Sequence, residues 1–206
     1  MQFRLFILIS LISILSITGM FVYVIAVTLD VFSVGEIEDD STTLLDAPRE
    51  VVVVDIAGQL IAIVTSRSDH GIEIIDVSDP DEPTSLGRCA DGDAGCGAER
   101  LTDSWGVATY TKDGSTYAVV TSFNEDSVEI IDITTPASPI SVGNLQDRTN
   151  LDGASFLKIT TIGSSTYAVV ATQSGDRVTI VDITDPTAPN IDETDRKSTR
   201  LNSSHS

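Results

Sequence analysis

Three copies of one ten-residue pattern constrain this chain more than any other feature. They read GIEIIDVSDP from Gly71 to Pro80, SVEIIDITTP from Ser127 to Pro136 and RVTIVDITDP from Arg177 to Pro186. Each alternates as a half-buried strand must, then stops at an aspartate, a short polar turn and a proline. A chain with such a repeat folds by stacking one small unit on the next, because one copy cannot bury its own apolar face.

The copies match beyond this strand. Ala62-Ile63-Val64-Thr65, Ala118-Val119-Val120-Thr121 and Ala168-Val169-Val170-Ala171 precede them, and each alanine stands 14 positions before Asp76, Asp132 or Asp182. A second proline follows at Pro83, Pro139 and Pro189. In the second copy four strands are expected, over Gly106–Thr111, Thr116–Ser122, Ser127–Thr134 and Ile140–Leu145. Lys112-Asp113-Gly114-Ser115 reads as a hairpin turn in which Gly114 supplies a positive φ. The prolines end the third strand and discourage pairing beyond it. The fold class predicted is all-β: a partial β-propeller of about three four-stranded antiparallel blades, near residues 44–88, 101–146 and 151–194. A β-sandwich is the alternative; identical internal offsets favour the propeller. Propellers typically use about four to eight blades, so three leave the last with an unpaired face.

The run I-I-D-V-S-D-P-x-x-P, with its upstream Ile-Ala-Ile-Val or Tyr-Ala-Val-Val, resembles the LVIVD-repeat family. Residues 71–83, 127–139 and 177–189 carry the motif, and the wider match runs from Leu44 to Glu193. The second copy departs from it, with Thr135 where Asp79 and Asp185 stand in the others. The resemblance implies a β-propeller on a prokaryotic, often archaeal, cell surface. It implies no catalytic residues.

Ahead of the repeats, residues 5–29 hold no charged side chain. A helix of that length spans roughly 37 Å, more than the ~30 Å of a bilayer's hydrocarbon core. Arg4 on one side and Asp30, Glu36, Glu38, Asp39 and Asp40 on the other orient residues 1–29 with the repeats outside the cell. A single-pass transmembrane signal-anchor and a cleaved signal peptide are both open, and both export the domain to the cell surface or beyond. Residues 30–49 read as an acidic linker and the start of the first blade, and 50–194 as the propeller repeats. Asp195 to His205 (DRKSTRLNSSH) is abruptly basic and resembles the in-frame translation of a sequencing adapter, so 195–206 are expected to be an artefact.

The net charge of −19 repels phosphate backbones and excludes a nucleic-acid partner. Cys89 and Cys96 frame a Gly-rich loop; outside a cell they most simply form a disulfide pinning an exposed insertion, with free thiols or a metal site as alternatives. For chemistry the residues offer little. Only His70 could serve as the base of a nucleophile–histidine pair, and in the turn Ser68-Asp69-His70-Gly71 it reads as a solvated turn residue. Trp105 reads as core rather than as a stacking platform. Asp76, Asp132 and Asp182 are expected to accept hydrogen bonds from turn N–H groups.

Two carboxylate sets could hold calcium. Asp46, Asp103 and Asp152 recur at the start of each inner strand and could gather at a central channel. Asp91 and Asp93, in the cysteine loop, are the weaker set. The function expected is binding or surface scaffolding toward a surface protein or glycan, with no defined catalytic activity. The alternative is an extracellular metal-dependent hydrolase or lyase using channel carboxylates.

Overall fold

The computed structural model describes residues 34–191, so the segment over 1–29 and the adapter-like stretch over 195–206 lie outside the described residues. Among the described residues no helix is long and apolar enough to cross a membrane.

Strands form where the alternating pattern runs, and they group by repeat. The first sheet holds β1 (Pro48–Ile56), β2 (Gln59–Ser66), β3 (Gly71–Asp76) and β4 (Thr84–Ala90) in sequence order. The second holds β5 (Ser104–Lys112), β6 (Ser115–Ser122), β7 (Ser127–Asp132) and β8 (Ile140–Gln146). The third holds β9 (Ala154–Ile162), β10 (Ser165–Thr172) and β11 (Arg177–Asp182). All pairings within the sheets are antiparallel, and the sheets are up-and-down meanders. The expected fourth strand of the third blade is represented by one bridge, Asp182 to Asn190, in the register that Asp76–Thr84 and Asp132–Ile140 open in the other two sheets. Beyond it the third copy reads Asp192-Glu193 where the others have a strand, and these residues fall outside the described range.

Local chemistry sets the turns. Asp113 and Gly114 have φ of 51° and 86°, the doubly positive conformation that matches the twist of a two-residue hairpin. β7 stops at Asp132, two residues before the expected Thr134, because the Asp132 carboxylate accepts from Thr134 N at 2.8 Å and turns the chain. Asp76 and Asp182 do the same for Ser78 N and Thr184 N, each at 2.8 Å. The three aspartates therefore cap turns, as the sequence predicted.

Consecutive sheets pack face to face, with inner strands β1, β5 and β9 in neighbour contact. Ile63, Ile72 and Ile74 of the first sheet meet Leu101, Val107 and Val120 of the second. Val119, Val128 and Ile130 of the second meet Leu157, Val170 and Val181 of the third. These positions repeat, so every seam has the same design, and each fully buried Ile or Val contributes roughly 1.5–3 kcal/mol. Hydroxyls tie the seams: Thr65 Oγ1 donates to Trp105 O at 2.8 Å, and Thr121 Oγ1 to Ser155 O from the same position one repeat on. Gly87 and Gly143 let the outer strands lie against the carbonyls of Pro136 and Pro186, where a Cβ would collide.

Among the described residues the outward face of the third sheet is uncovered. Val178 and Ile180 are 65% and 57% exposed, whereas their counterparts Val128 and Ile130 are fully buried.

Candidate ligand-binding rim

Pro48 pairs with Ser66, Ser104 with Ser122 and Ala154 with Thr172, so these three residues open equivalent inner strands. On that register Asp46 and Asp152 are equivalent but Asp103 is one position further along, with φ of 59°. The recurrence expected from spacing is thus off by one: the repeats are equally long there, and Asp103 takes the positive-φ position held by Ala47 and Gly153 in the other two. Asp103 is almost fully buried and its Oδ1 accepts from Arg67 Nε at 2.8 Å and from Trp105 Nε1 at 3.2 Å. Asp46 is exposed and its carbonyl accepts from Ser66 Oγ at 2.6 Å. Among the described residues no group of three or more His, Cys, Asp or Glu side chains is placed to hold a metal ion, and the three aspartates are not brought into one.

The weaker set is also spent on structure. Asp91 accepts from Leu101 N and Thr102 Oγ1, both at 3.2 Å, and Asp93 Oδ1 accepts from Gly95 N at 2.8 Å. The cysteine reading holds in its pairing and fails in its setting. Cys89 and Cys96 form a disulfide with Cα atoms 5.4 Å apart. Cys89 belongs to β4 rather than to a loop, and both sulfurs lie in the core of the first seam beside Ile72 and Leu101. The bridge supports the core instead of pinning an exposed insertion. His70 is exposed, as expected of a turn residue, but its Nδ1 accepts from Asp103 N at 3.1 Å.

What the inner-strand ends do assemble is an aromatic and cationic rim. Trp105, at the start of β5, is half-buried and stacks on Phe123 with ring centroids 5.0 Å apart. Phe156, from the start of β9 and half-exposed, meets its edge at 6.0 Å. Arg49 of β1 lies over the Trp105 ring, 4.6 Å from its centroid, a favourable cation–π placement. Arg67 completes the group through Asp103. Three consecutive sheets therefore contribute to one patch. Sequence reading put Trp105 in the core rather than on a stacking platform; the signal missed was the pair of phenylalanines, Phe123 and Phe156, at the same end of neighbouring strands.

Two buried glutamates stand apart from the rim. Glu73 and Glu129 occupy the same place on β3 and β7, and each accepts from a serine of the outer strand, Ser85 and Ser141. Glu73 also accepts from Leu44 N at 2.8 Å, clasping the loop that enters its sheet. Desolvation pushes the Glu129 carboxyl up to about 7, against the serine bond that lowers it, and raises Glu73 in the same direction.

The comparisons agree with this architecture. The sequence matches the LVIVD repeat over residues 66–91, 116–147 and 164–194. No curated protein sequence matches the chain. Among solved structures it is similar to a variant of an exo-beta-1,3-galactanase from Phanerochaete chrysosporium with beta-1,3-galactotriose, at 11% identity and a TM-score of 0.54, over 73% of this chain and 36% of that one. A second variant of that enzyme gives 12% identity and a TM-score of 0.52, over 68% and 34%. The C-terminal domain of PilY1 from Pseudomonas aeruginosa gives 15% identity over 68% and 32%, but its TM-score of 0.43 is too low to bear on the fold. The chain spans about a third of the length of these structures. Three meanders in one register, joined by the same seam twice, and three matched segments show that this chain carries three LVIVD repeats in a β-propeller-like fold.

Proposed function

We propose that this chain is a binding or scaffolding protein of the cell exterior, anchored by its N-terminal segment or secreted, and that its ligand docks on the rim around Trp105. The observation that carries the reading is a contrast between repeats. Core positions are alike in every copy, but the rim is not. Arg49, Trp105 and Ser155 are equivalent to one another, as are Arg67, Phe123 and Gln173. Aromatic rings and arginines placed where the repeat's own packing does not ask for them are the residues that dominate recognition surfaces. Loops and strand ends on a rigid scaffold are where such surfaces are built.

Stacked rings flanked by guanidinium groups suit a surface glycan, whose flat apolar sugar faces lie on the rings while its hydroxyls or carboxylates meet Arg49 and Arg67. No step of catalysis is required by this arrangement. Screening the chain and its Trp105→Ala variant on a glycan array tests it. A bound glycan class whose affinity falls at least tenfold in the variant, with an unchanged melting temperature, supports the reading. Equal binding by both proteins overturns the site.

A further inference from the structure

The segment ahead of β1 repeats a motif of the outer strands. Ser33-Val34-Gly35 reads as Ser85-Leu86-Gly87 and Ser141-Val142-Gly143 do, and Asp39 falls where Asp91 and Asp147 fall. The structure makes the likeness physical. Gly35 lies against the carbonyl of Pro80, as Gly87 lies against that of Pro136 and Gly143 against that of Pro186, with Pro83 and Pro189 alongside in the first and last cases. Residues 35–39 are thus not a free acidic linker. They sit on the first sheet where the outer strand of a preceding blade belongs, yet among the described residues no strand pairs with them. The rest of that preceding blade's place is open too: Ile37, Leu45, Val51, Val64 and Ile75 line a cavity of about 400 Å³. Their counterparts Cys89, Leu101, Val107, Val120 and Ile131 are all buried in the first seam.

The matching half is on the third sheet. Its outward face presents Val178 and Ile180, and β11 is joined beyond β10 only by the Asp182–Asn190 bridge among the described residues. Laying residues 35–38 on β11 in the β7–β8 register sets Ile180 opposite Gly35, Val178 opposite Ile37 and Arg177 opposite Glu38. An apolar pair and an ion pair result. The third copy's own continuation, Asn190-Ile191-Asp192-Glu193, lacks the Ser-x-Gly element that the segment at Ser33 carries.

We propose that a second copy of this chain fills the open face: the third sheet of one copy docks on the first sheet of its partner, and the partner's segment 35–38 completes that third sheet as its outer strand. The exchange is reciprocal. Two copies of three sheets make a ring of six blades with two-fold symmetry, inside the range of about four to eight at which propellers close. Both open faces and both unpaired edges disappear together.

The test uses the full chain in detergent. Light scattering gives the mass, and co-expressed, differently tagged copies carry Ile37→Cys in one and Val178→Cys in the other. The proposal expects a two-chain mass and a disulfide that links the two tags only when both cysteines are present. Ile180→Asp, at a position open in the single copy, is expected to raise the dimer's dissociation constant at least tenfold without lowering the monomer's melting temperature. A single-chain mass at all concentrations, no link between tags, or a link formed within one doubly substituted copy overturns the proposal.

Discussion

Glu129 shows how a single residue sets the response of this fold to pH. Its carboxyl titrates near 7 in the folded chain against an ordinary 4.5, because burial disfavours the charged form. Between those values the folded state holds the proton and the unfolded state does not, so stability falls as pH rises from about 4.5 to 7 and then levels off. Asp76 and Asp185, held below the usual range by serine and threonine hydrogen bonds, act oppositely and only at acid pH. Maximum stability is therefore expected between about pH 4 and 4.5. Glu129→Gln should remove most of the loss toward pH 8 and raise stability there by roughly 1–3 kcal/mol, measured by urea unfolding across pH. A slope unchanged by the substitution would assign the loss to other groups. Cys89 and Cys96 are the other residue-scale test. Replacing both by alanine removes a cross-link and buried sulfur together, and is expected to cost about 2–4 kcal/mol; a loss below 1 kcal/mol would fit the exposed-loop reading instead.

At the scale of elements, the seams depend on two close approaches as much as on apolar area. Gly143→Val puts a branched side chain where Pro186 O lies, and an overpacked contact of this kind costs about 1–3 kcal/mol. Thermal melting checks it, and Gly114→Ala, at a solvent-open turn with φ of 86°, offers a control in which strain acts without collision. The strands and turns were legible because alternation, Asp caps and prolines act locally. The start of β1 and the setting of the disulfide were not, because each is fixed by pairing across the sheet, whereas the spacings of 16, 15 and 16 residues from Asp46, Asp103 and Asp152 to the next strand's alanine already held the off-by-one. The one-residue bulge between Ser104 and Val107 recurs in β1 and β9 and shifts every inner-strand residue before it, which spacing alone does not reveal. Gly35 was read as linker for the same reason: its partner is Pro80, 45 positions on.

At the scale of the molecule, the described residues cover the second sheet on both faces and the first and third mainly on one each. That is the physical content of a stacked repeat, in which stability rises with the number of neighbours. The rim follows from it, since inner strands held side by side bring Arg49, Trp105 and Phe156 from three sheets within one patch. Hydrogen exchange followed by mass spectrometry tests this arrangement most directly, because amide protection reports the free energy of local opening. Measured on the single copy, kept monomeric by Ile180→Asp at low concentration, the account predicts the slowest exchange in β6 and β7, faster exchange in β2 and β3, and the fastest in β11 among the third strands. Equal protection of β3, β7 and β11, or slowest exchange in β1, would contradict it.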